Sequence, residues 1–341
     1  LGIVSLNSGT ISATPNLTLN LPDGLFQWTG GTIAGESSSA SEGLSYKAAQ
    51  RGIDVLLQSV AEIGQGLPAA LRDYQFESEQ VAQLDSKDMN FATWHHLAQR
   101  CQAWLSQEDV AAVVITHGTD TLEETAYFLS RVVAIEKPIV LTCAMRPANF
   151  KDADGPQNLR DALTYASVAK GAGVWMVAAG EIHHSQHVQK VHPTRLNAFD
   201  SGEAGIAGTV FKDQVSWRPE FAPVVQPNPI ALSHLPDPAS WPWVEVIMNH
   251  VQASPKVVDL LVNAGVQGIV VAGTGNGSVG TELKNGLLRA QEAGVQIRVA
   301  SRCNQGPVIV TASHNFSVLA GLSPVKARVA LLLDLATHQS A

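Results

Sequence analysis

The residues best suited to chemistry are Thr116-His117-Gly118-Thr119-Asp120-Thr121. They follow an apolar run, Ala111 to Ile115, that reads as a buried strand, and they precede Leu122, Ala126, Leu129 and Val133 at helical spacing. Hydroxyls, a carboxylate and a glycine therefore stand where a strand ends and a helix begins. Open α/β sheets place ligands at that edge, and the free N–H groups of the helix favour an anion there. An earlier loop, Thr29-Gly30-Gly31-Thr32-Ile33-Ala34, repeats the chemistry. Two threonine-rich loops without a P-loop lysine point to a hydroxyl nucleophile rather than a phosphate cradle. The competing reading is that Thr and Gly at such junctions only cap helices and turn the chain.

A third group, Ala144-Met145-Arg146-Pro147, is followed by Asp154-Gly155-Pro156 and Asn158-Leu159. With these three loops in order, each after an apolar run, the chain resembles the bacterial-type L-asparaginase/glutaminase family. The first loop matches that family's TGGTIA signature and the second its THGTDT signature. The resemblance runs from about Gly24 to the C-terminus.

The resemblance implies an amidohydrolase that converts L-asparagine to L-aspartate and ammonia, with L-glutamine as a slower substrate and without metal or organic cofactor. Hydrolysis of an unactivated amide needs a nucleophile, a base and donors for the developing oxyanion. By the same resemblance Thr32 attacks, helped by Tyr46 on a loop before Gly52-Ile53-Asp54. Thr119, Asp120 and Lys190 correspond to a proton and charge relay. Lys190 is placed by matching Val188-Gln189-Lys190 to a short hairpin before Asn197 to Phe199. Ser86 corresponds to the serine that holds the substrate's α-carboxylate, Asp120 partners its ammonium, and the Ala144 carbonyl takes its side-chain amide. Ser278, from a neighbouring subunit, completes the site, within a homotetramer built as a dimer of dimers. A glutamate that some members supply from a later loop has no counterpart between Arg302 and Gly321.

The elements that must position these residues alternate between strand-like and helical segments. The expected fold class is α/β: a larger N-terminal parallel-sheet domain with helices on both faces, plus a smaller flavodoxin-like C-terminal α/β domain. Residues 1–24, rich in Asn, Ser, Thr and Pro, read as a loosely ordered extension, and Leu25 to Trp28 as a short first strand. Residues 25–215 form the first domain. The proline-rich 216–242 is a linker and 243–341 the second domain. Asn90 caps a helix with Trp94, Leu97, Cys101 and Trp104 inward. Asp154 and Pro156 open another, with Leu159, Leu163 and Ala166 inward. Segment 180–215 lacks helical periodicity and reads as loops and hairpins. In the second domain, strands are expected at Val244–Met248, 266–272 and 295–300, with helices beginning near Pro255, after Ser278 and at Pro324.

Bulk properties narrow the function further. The chain has 341 residues, enough for two domains each with its own core. A net charge of −8, with its 22 basic residues scattered, argues against a nucleic-acid partner. No apolar stretch approaches the roughly 18 residues needed to span a bilayer, so no membrane partner is expected. Without a signal-peptide pattern at the start, the expected compartment is the cytoplasm, the periplasm staying open. Cys101, Cys143 and Cys303 are too few and too far apart for a disulfide framework or a zinc site. His183, His184, His187 and His192 lack the HExxH order and accompanying carboxylates of a metal centre and read as a solvated hairpin face. Gly273 to Gly277 imitates half of a dinucleotide fingerprint. Ser301-Arg302 ends the following strand with no acidic residue, so a tight, flexible turn that approaches another backbone is favoured.

Two alternatives stay open. One is the glutaminase subunit of a tRNA-dependent amidotransferase, disfavoured by the short N-terminal segment. The other is a non-enzymatic amino-acid- or nucleotide-binding protein.

Overall fold

The computed structural model describes residues 2–8, 36–37, 46–47, 58, 60, 66, 68–71, 74–82, 84–134, 136–169, 173–221 and 229–338. The chain divides into two compact units, Leu1–Pro229 and Ile230–Ala341. That division falls within the proline-rich 216–242.

In unit 1 the strands are β1 (Gly2–Ser8), β2 (Glu36–Ser37), β3 (Tyr46–Lys47), β4 (Tyr74–Gln80), β5 (Val110–Thr116), β6 (Pro138–Thr142), β7 (Gly173–Ala178), β8 (Glu181–His184), β9 (Gln189–Lys190), β10 (Phe199–Asp200), β11 (Gly208–Phe211) and β12 (Gln214–Trp217). Eight of them form one sheet in the order β12-β11-β8-β7-β6-β5-β1-β4. Its centre is parallel, β5 to β6 to β7, and both flanks are antiparallel. The sheet is thus mixed rather than uniformly parallel. β9 and β10 make a separate two-stranded ribbon, as do β2 and β3.

The helices of this unit are α1 (Phe91–Leu105), α2 (Leu122–Val132) and α3 (Gly155–Val168). On one face, α3 sets Leu159, Ala162, Leu163 and Ala166 against Ala112, Val114, Val140 and Val177. The alternate residues Val113, Ile115, Ile139 and Leu141 are fully buried as well. They face away from α3, where α1 packs on β5 and α2 on β7. A strand covered on both faces reads as a continuous apolar run, which is why β5 stood out in the sequence. Truncating Leu159, which lies in this core with no exposed surface, to alanine costs about 2–5 kcal/mol. Asn90 caps α1 as expected, its side chain accepting from Thr93 N at 2.9 Å. Trp94 is buried and stacks on Phe128 of α2, with ring centroids 4.8 Å apart.

Two expectations change. Residues 1–24 are not wholly a loose extension, because Gly2–Ser8 pairs antiparallel with both β4 and β5. The apolar Ile3, Val4 and Leu6 precede most of the polar residues on which that expectation rested. Leu25 to Trp28 lies outside the described residues. The histidine face is solvated only in part: His183 and His184 are buried, whereas His187 and His192 are half-buried. His183 and His184 sit on β8, an inner strand between β7 and β11, so neighbours that point to opposite faces are both covered. His184 meets the Trp175 ring edge-on at 5.0 Å, and His183 Nδ1 lies 2.9 Å from Ser201 Oγ.

Unit 2 has a four-stranded parallel sheet of β13 (Val244–Met248), β14 (Gly268–Gly273), β15 (Gln296–Ser301) and β16 (Ser317–Val318), in that order. Helices α4 (Lys256–Asn263) and α5 (Thr281–Glu292) share an apolar cluster with β13 to β15. Helix α6 (Pro324–His338) also packs on these strands. Gly268 permits the close approach of α6, since a Cβ there would stand 2.9 Å from Leu331 Cδ2. Among the described residues no helix is long and apolar enough to cross a membrane.

Candidate active site

The end of β5 is fixed before any reactive group is placed. His117 N donates to Thr142 O at 2.9 Å, tying the ends of β5 and β6 together. The His117 ring is fully buried. Its Nδ1 lies 2.6 Å from Gly118 O and its Nε2 2.9 Å from Thr125 Oγ1. Trp94 Nε1 donates to the same threonine oxygen at 2.9 Å. One proton arrangement satisfies all three contacts. Nδ1–H donates to Gly118 O, and the Thr125 hydroxyl donates to Nε2 while accepting from Trp94. Burial supports this neutral imidazole by pushing the His117 pKa down to about 4, against a smaller upward effect of the Gly118 carbonyl. The backbone immediately before Thr119 is thereby anchored to two helices.

On this base stand Thr119 and Asp120. Thr119 is buried, whereas the Asp120 side chain is 52% exposed. Lys190 comes from the β9–β10 ribbon. Its Nζ lies 2.8 Å from Thr119 Oγ1 and 2.6 Å from Asp120 Oδ1. Thr119 Oγ1 is itself 3.4 Å from Asp120 Oδ1. The structure therefore brings together the three residues matched to a relay, across some seventy positions of sequence. The lysine thus pairs with a carboxylate and also donates toward a hydroxyl.

Ser86 joins the same edge. It opens the short 3-10 turn Ser86–Asp88, which Asp85 caps. Asp120 N donates to Ser86 Oγ at 3.3 Å and Thr121 Oγ1 donates to Ser86 O at 2.7 Å. The serine hydroxyl accepts in the first of these bonds and keeps its own proton to donate.

The third sequence group shapes the loop after β6. Asp154 does not cap α3 with its side chain. Its carboxylate accepts instead from Met145 N and Arg146 N, each at 2.9 Å. Burial pushes its pKa up, opposed by those same hydrogen bonds. Asn158 donates to Cys143 O at 2.9 Å and accepts from Ala179 N at 2.9 Å, so it links the ends of β6 and β7. Ala144 follows β6 within this frame and is buried.

Two matched residues are not placed by side chain. Thr32, with its whole loop, lies outside the described residues. Tyr46 falls in β3 opposite Ser37, which fixes its backbone pairing only.

Sequence reasoning passed over Glu123. It is nearly buried in the first turn of α2, and its Oε1 accepts from the backbone N of Lys190 at 3.1 Å. His117 and Asn158 entered the sequence reading only as parts of motifs. An acidic residue in a first helical turn is ordinary, so the sequence held no signal for Glu123.

In unit 2, Ser278 is exposed at the end of the glycine loop after β14. The loop is held more firmly than its glycines suggest. Thr274 and Ser278 exchange two backbone hydrogen bonds, of 3.0 and 2.8 Å. Asn276 is pinned to Ile309 by a pair of bonds, 2.8 and 2.7 Å, and His314 Nε2 lies 2.9 Å from Asn276 O. Positive φ at Gly275 and Gly277 serves this tight turn. A Cβ on Gly273 would stand 2.6 Å from Gly277 C, so the close approach lies within the loop itself. A groove of about 300 Å³ beside it is lined by Ser278, Lys284, His314 and Phe316 among others.

Among the described residues no cluster of three or more His, Cys, Asp or Glu is arranged to hold a metal ion. Cys101 and Cys143 are buried, which pushes both thiols up, and Cys303 is exposed.

Residues 25–222 match the family model "Asparaginase, N-terminal", and residues 243–341 match "Glutaminase/Asparaginase C-terminal domain". The chain is 34% identical to L-asparaginase 2 of Bacillus subtilis, over 95% of this chain and 85% of that protein. It is 36% identical to a probable periplasmic L-asparaginase of Haemophilus influenzae, over 93% of this chain and 89% of that one. A glutaminase-asparaginase of Pseudomonas fluorescens is 34% identical over 91% of this chain and 85% of its own length. Among solved structures, a probable cytoplasmic L-asparaginase from Campylobacter jejuni is similar with a TM-score of 0.80 at 33% identity. That similarity covers 92% of this chain and 94% of the other. Two domain models in the family order, relatives matched over most of their length, and the architecture itself agree: the chain belongs to the asparaginase family.

Proposed function

We propose that this protein hydrolyses the side-chain amide of L-asparagine to L-aspartate and ammonia, and that of L-glutamine more slowly. The observation that carries the proposal is Lys190 Nζ seated between Thr119 Oγ1 and Asp120 Oδ1 at the carboxyl edge of β5. The names of its relatives, which include both asparaginases and glutaminase-asparaginases, support the substrate class.

Thr32 Oγ attacks the amide carbonyl and gives up its proton to a base, with Tyr46 as its helper. The tetrahedral adduct expels ammonia after the nitrogen takes a proton, leaving a threonine ester. Water then adds to the ester, directed by Thr119 and the Lys190–Asp120 pair, and releases L-aspartate. The Lys190 charge offsets negative charge that develops on the reacting oxygens. Ser86 donates its hydroxyl proton to the α-carboxylate, Asp120 holds the ammonium and the Ala144 carbonyl takes the side-chain amide. A neighbouring subunit contributes Ser278, within a homotetramer made of two such dimers. None of these steps uses a metal or organic cofactor.

The test is ammonia release from L-Asn, L-Gln and D-Asn by the purified chain without a partner protein, wild type and Thr32→Ala. Turnover of L-Asn that vanishes in Thr32→Ala is expected. A variant retaining more than a small fraction of the rate would remove Thr32 from the mechanism. Thr32→Ala subunits mixed with subunits disabled at Ser278 should regain activity, since a hybrid dimer contains one intact site. No recovery after verified subunit exchange would rule out the shared site.

A further inference from the structure

We infer that Glu123 is a positioning residue for the relay: it holds the backbone of Lys190 so that the ammonium reaches Thr119 and Asp120. The inference rests on the proposed role of Lys190. Val191 N donates to Ala198 O at 2.8 Å. Residues of an antiparallel pair alternate between bonding toward the partner strand and pointing away from it. Lys190, paired with Phe199 one step along, therefore turns its N–H away from β10. A ribbon of two strands leaves such a donor without a ladder partner. Glu123 Oε1 takes it at 3.1 Å, across 67 positions of sequence.

The anchor is itself firm. Glu123 lies in the first turn of α2, where the helix N-terminus favours a carboxylate. It is only 9% exposed, and α2 follows directly from Thr121, two residues after Thr119. One short segment thus carries the two groups that Lys190 Nζ contacts and the group that fixes the Lys190 backbone. Both ends of the lysine are referred to a single rigid element. A lysine side chain has four rotatable carbons, so fixing its Cα is what allows contacts of 2.6 and 2.8 Å to be held together.

The experiment compares Glu123→Asp with Glu123→Gln in the full-length chain. Aspartate keeps the charge but is shorter by one methylene, about 1.5 Å, and falls short of Lys190 N. Glutamine keeps an oxygen at the right distance without the charge. If Glu123 positions Lys190, Glu123→Asp lowers kcat by about 10–100-fold with KM changed little, as a misplacement of about 1 Å does, while Glu123→Gln recovers most of the rate. In the double variant with Lys190→Met, Glu123→Asp adds no loss beyond about twofold, because it acts only through the lysine. Wild-type kcat in Glu123→Asp overturns the inference. So does an inactive Glu123→Gln beside an active Glu123→Asp, which would make charge the requirement. So do losses that multiply in the double variant, the signature of a general structural role. Full activity in Lys190→Met alone would instead strike the relay reading, and this inference with it.

Discussion

Replacing Lys190 with methionine separates what the lysine does for catalysis from what it does for stability. Its ammonium makes two short contacts, 2.6 Å to Asp120 Oδ1 and 2.8 Å to Thr119 Oγ1. Methionine retains the apolar stem and deletes both. The Asp120 side chain is 52% exposed, so solvent screens the ion pair and its share of folding stability is about 0–1 kcal/mol. For a protein of this size that is a shift in Tm of at most about 2–4 °C. The reaction feels the loss differently. On the proposed mechanism, a fixed ammonium beside the relay hydroxyl contributes about 10²–10⁴ in rate, equivalent to about 2.7–5.4 kcal/mol of barrier. The expected result is thus a kcat lowered by two to four orders of magnitude in a protein that melts almost as the wild type does. Ammonia release, followed continuously through a coupled dehydrogenase, gives the rate, and a thermal melt gives the stability. An active Lys190→Met would show the contacts to be incidental. A collapse in Tm with a proportionate loss of folded protein would make Lys190 a structural residue instead.

Three further outcomes follow from the same geometry. Asp120→Asn should lower kcat and raise KM together in steady-state assays, since Asp120 both pairs with Lys190 and faces the proposed ammonium; an unchanged KM would remove it from substrate binding. His117, held down to about 4 against an ordinary 6.5, is neutral when folded and charges more readily when unfolded. Its contribution to stability is therefore present above pH 6.5 and lost as pH falls through about 4, on the order of 3 kcal/mol in all, and His117→Gln should flatten the fall in Tm across that window. Asp161 runs the other way: burial lifts it from 3.8 to about 6. Its stabilising protonated form is lost as pH rises through 6, so Asp161→Asn should raise Tm at pH 7 by a few degrees and leave it unchanged below pH 4.

What the sequence disclosed divides along physical lines. Asn90 capping α1, Pro156 opening α3 and the apolar run of β5 are local signals, and each element formed close to where the pattern placed it. Lys190 could be found only by resemblance, because no local pattern tells a lysine that crosses 70 positions to Asp120 from one in solvent. Glu123 was invisible for the opposite reason. An acidic residue in a first helical turn is ordinary, and its bond to Lys190 N depends on which way a two-residue strand faces. His183 and His184 misled because adjacent polar residues suggest an exposed hairpin, whereas an inner strand buries both neighbours. The antiparallel pairing of Gly2–Ser8 is a tertiary choice of the same kind.

The two oxygens of Asp120 show how the site can be rigid and still receive a substrate. Oδ1 is engaged by Lys190 and lies near Thr119, while Oδ2 has no hydrogen-bond partner among the described residues. Thr119 is 6% exposed, so the relay meets solvent through Asp120 rather than through its hydroxyl. On the proposed function, an incoming α-ammonium binds at Oδ2 without displacing Lys190 from Oδ1. The carboxylate then serves substrate and relay at once, each through its own oxygen. Ser86 is bonded to Asp120 N and stands beside it, where the proposed function has it take the α-carboxylate of the same substrate. Binding and chemistry are coupled through one backbone unit, the Thr119–Asp120 peptide. The buried His117 ring and the apolar β5 hold that unit in place from beneath.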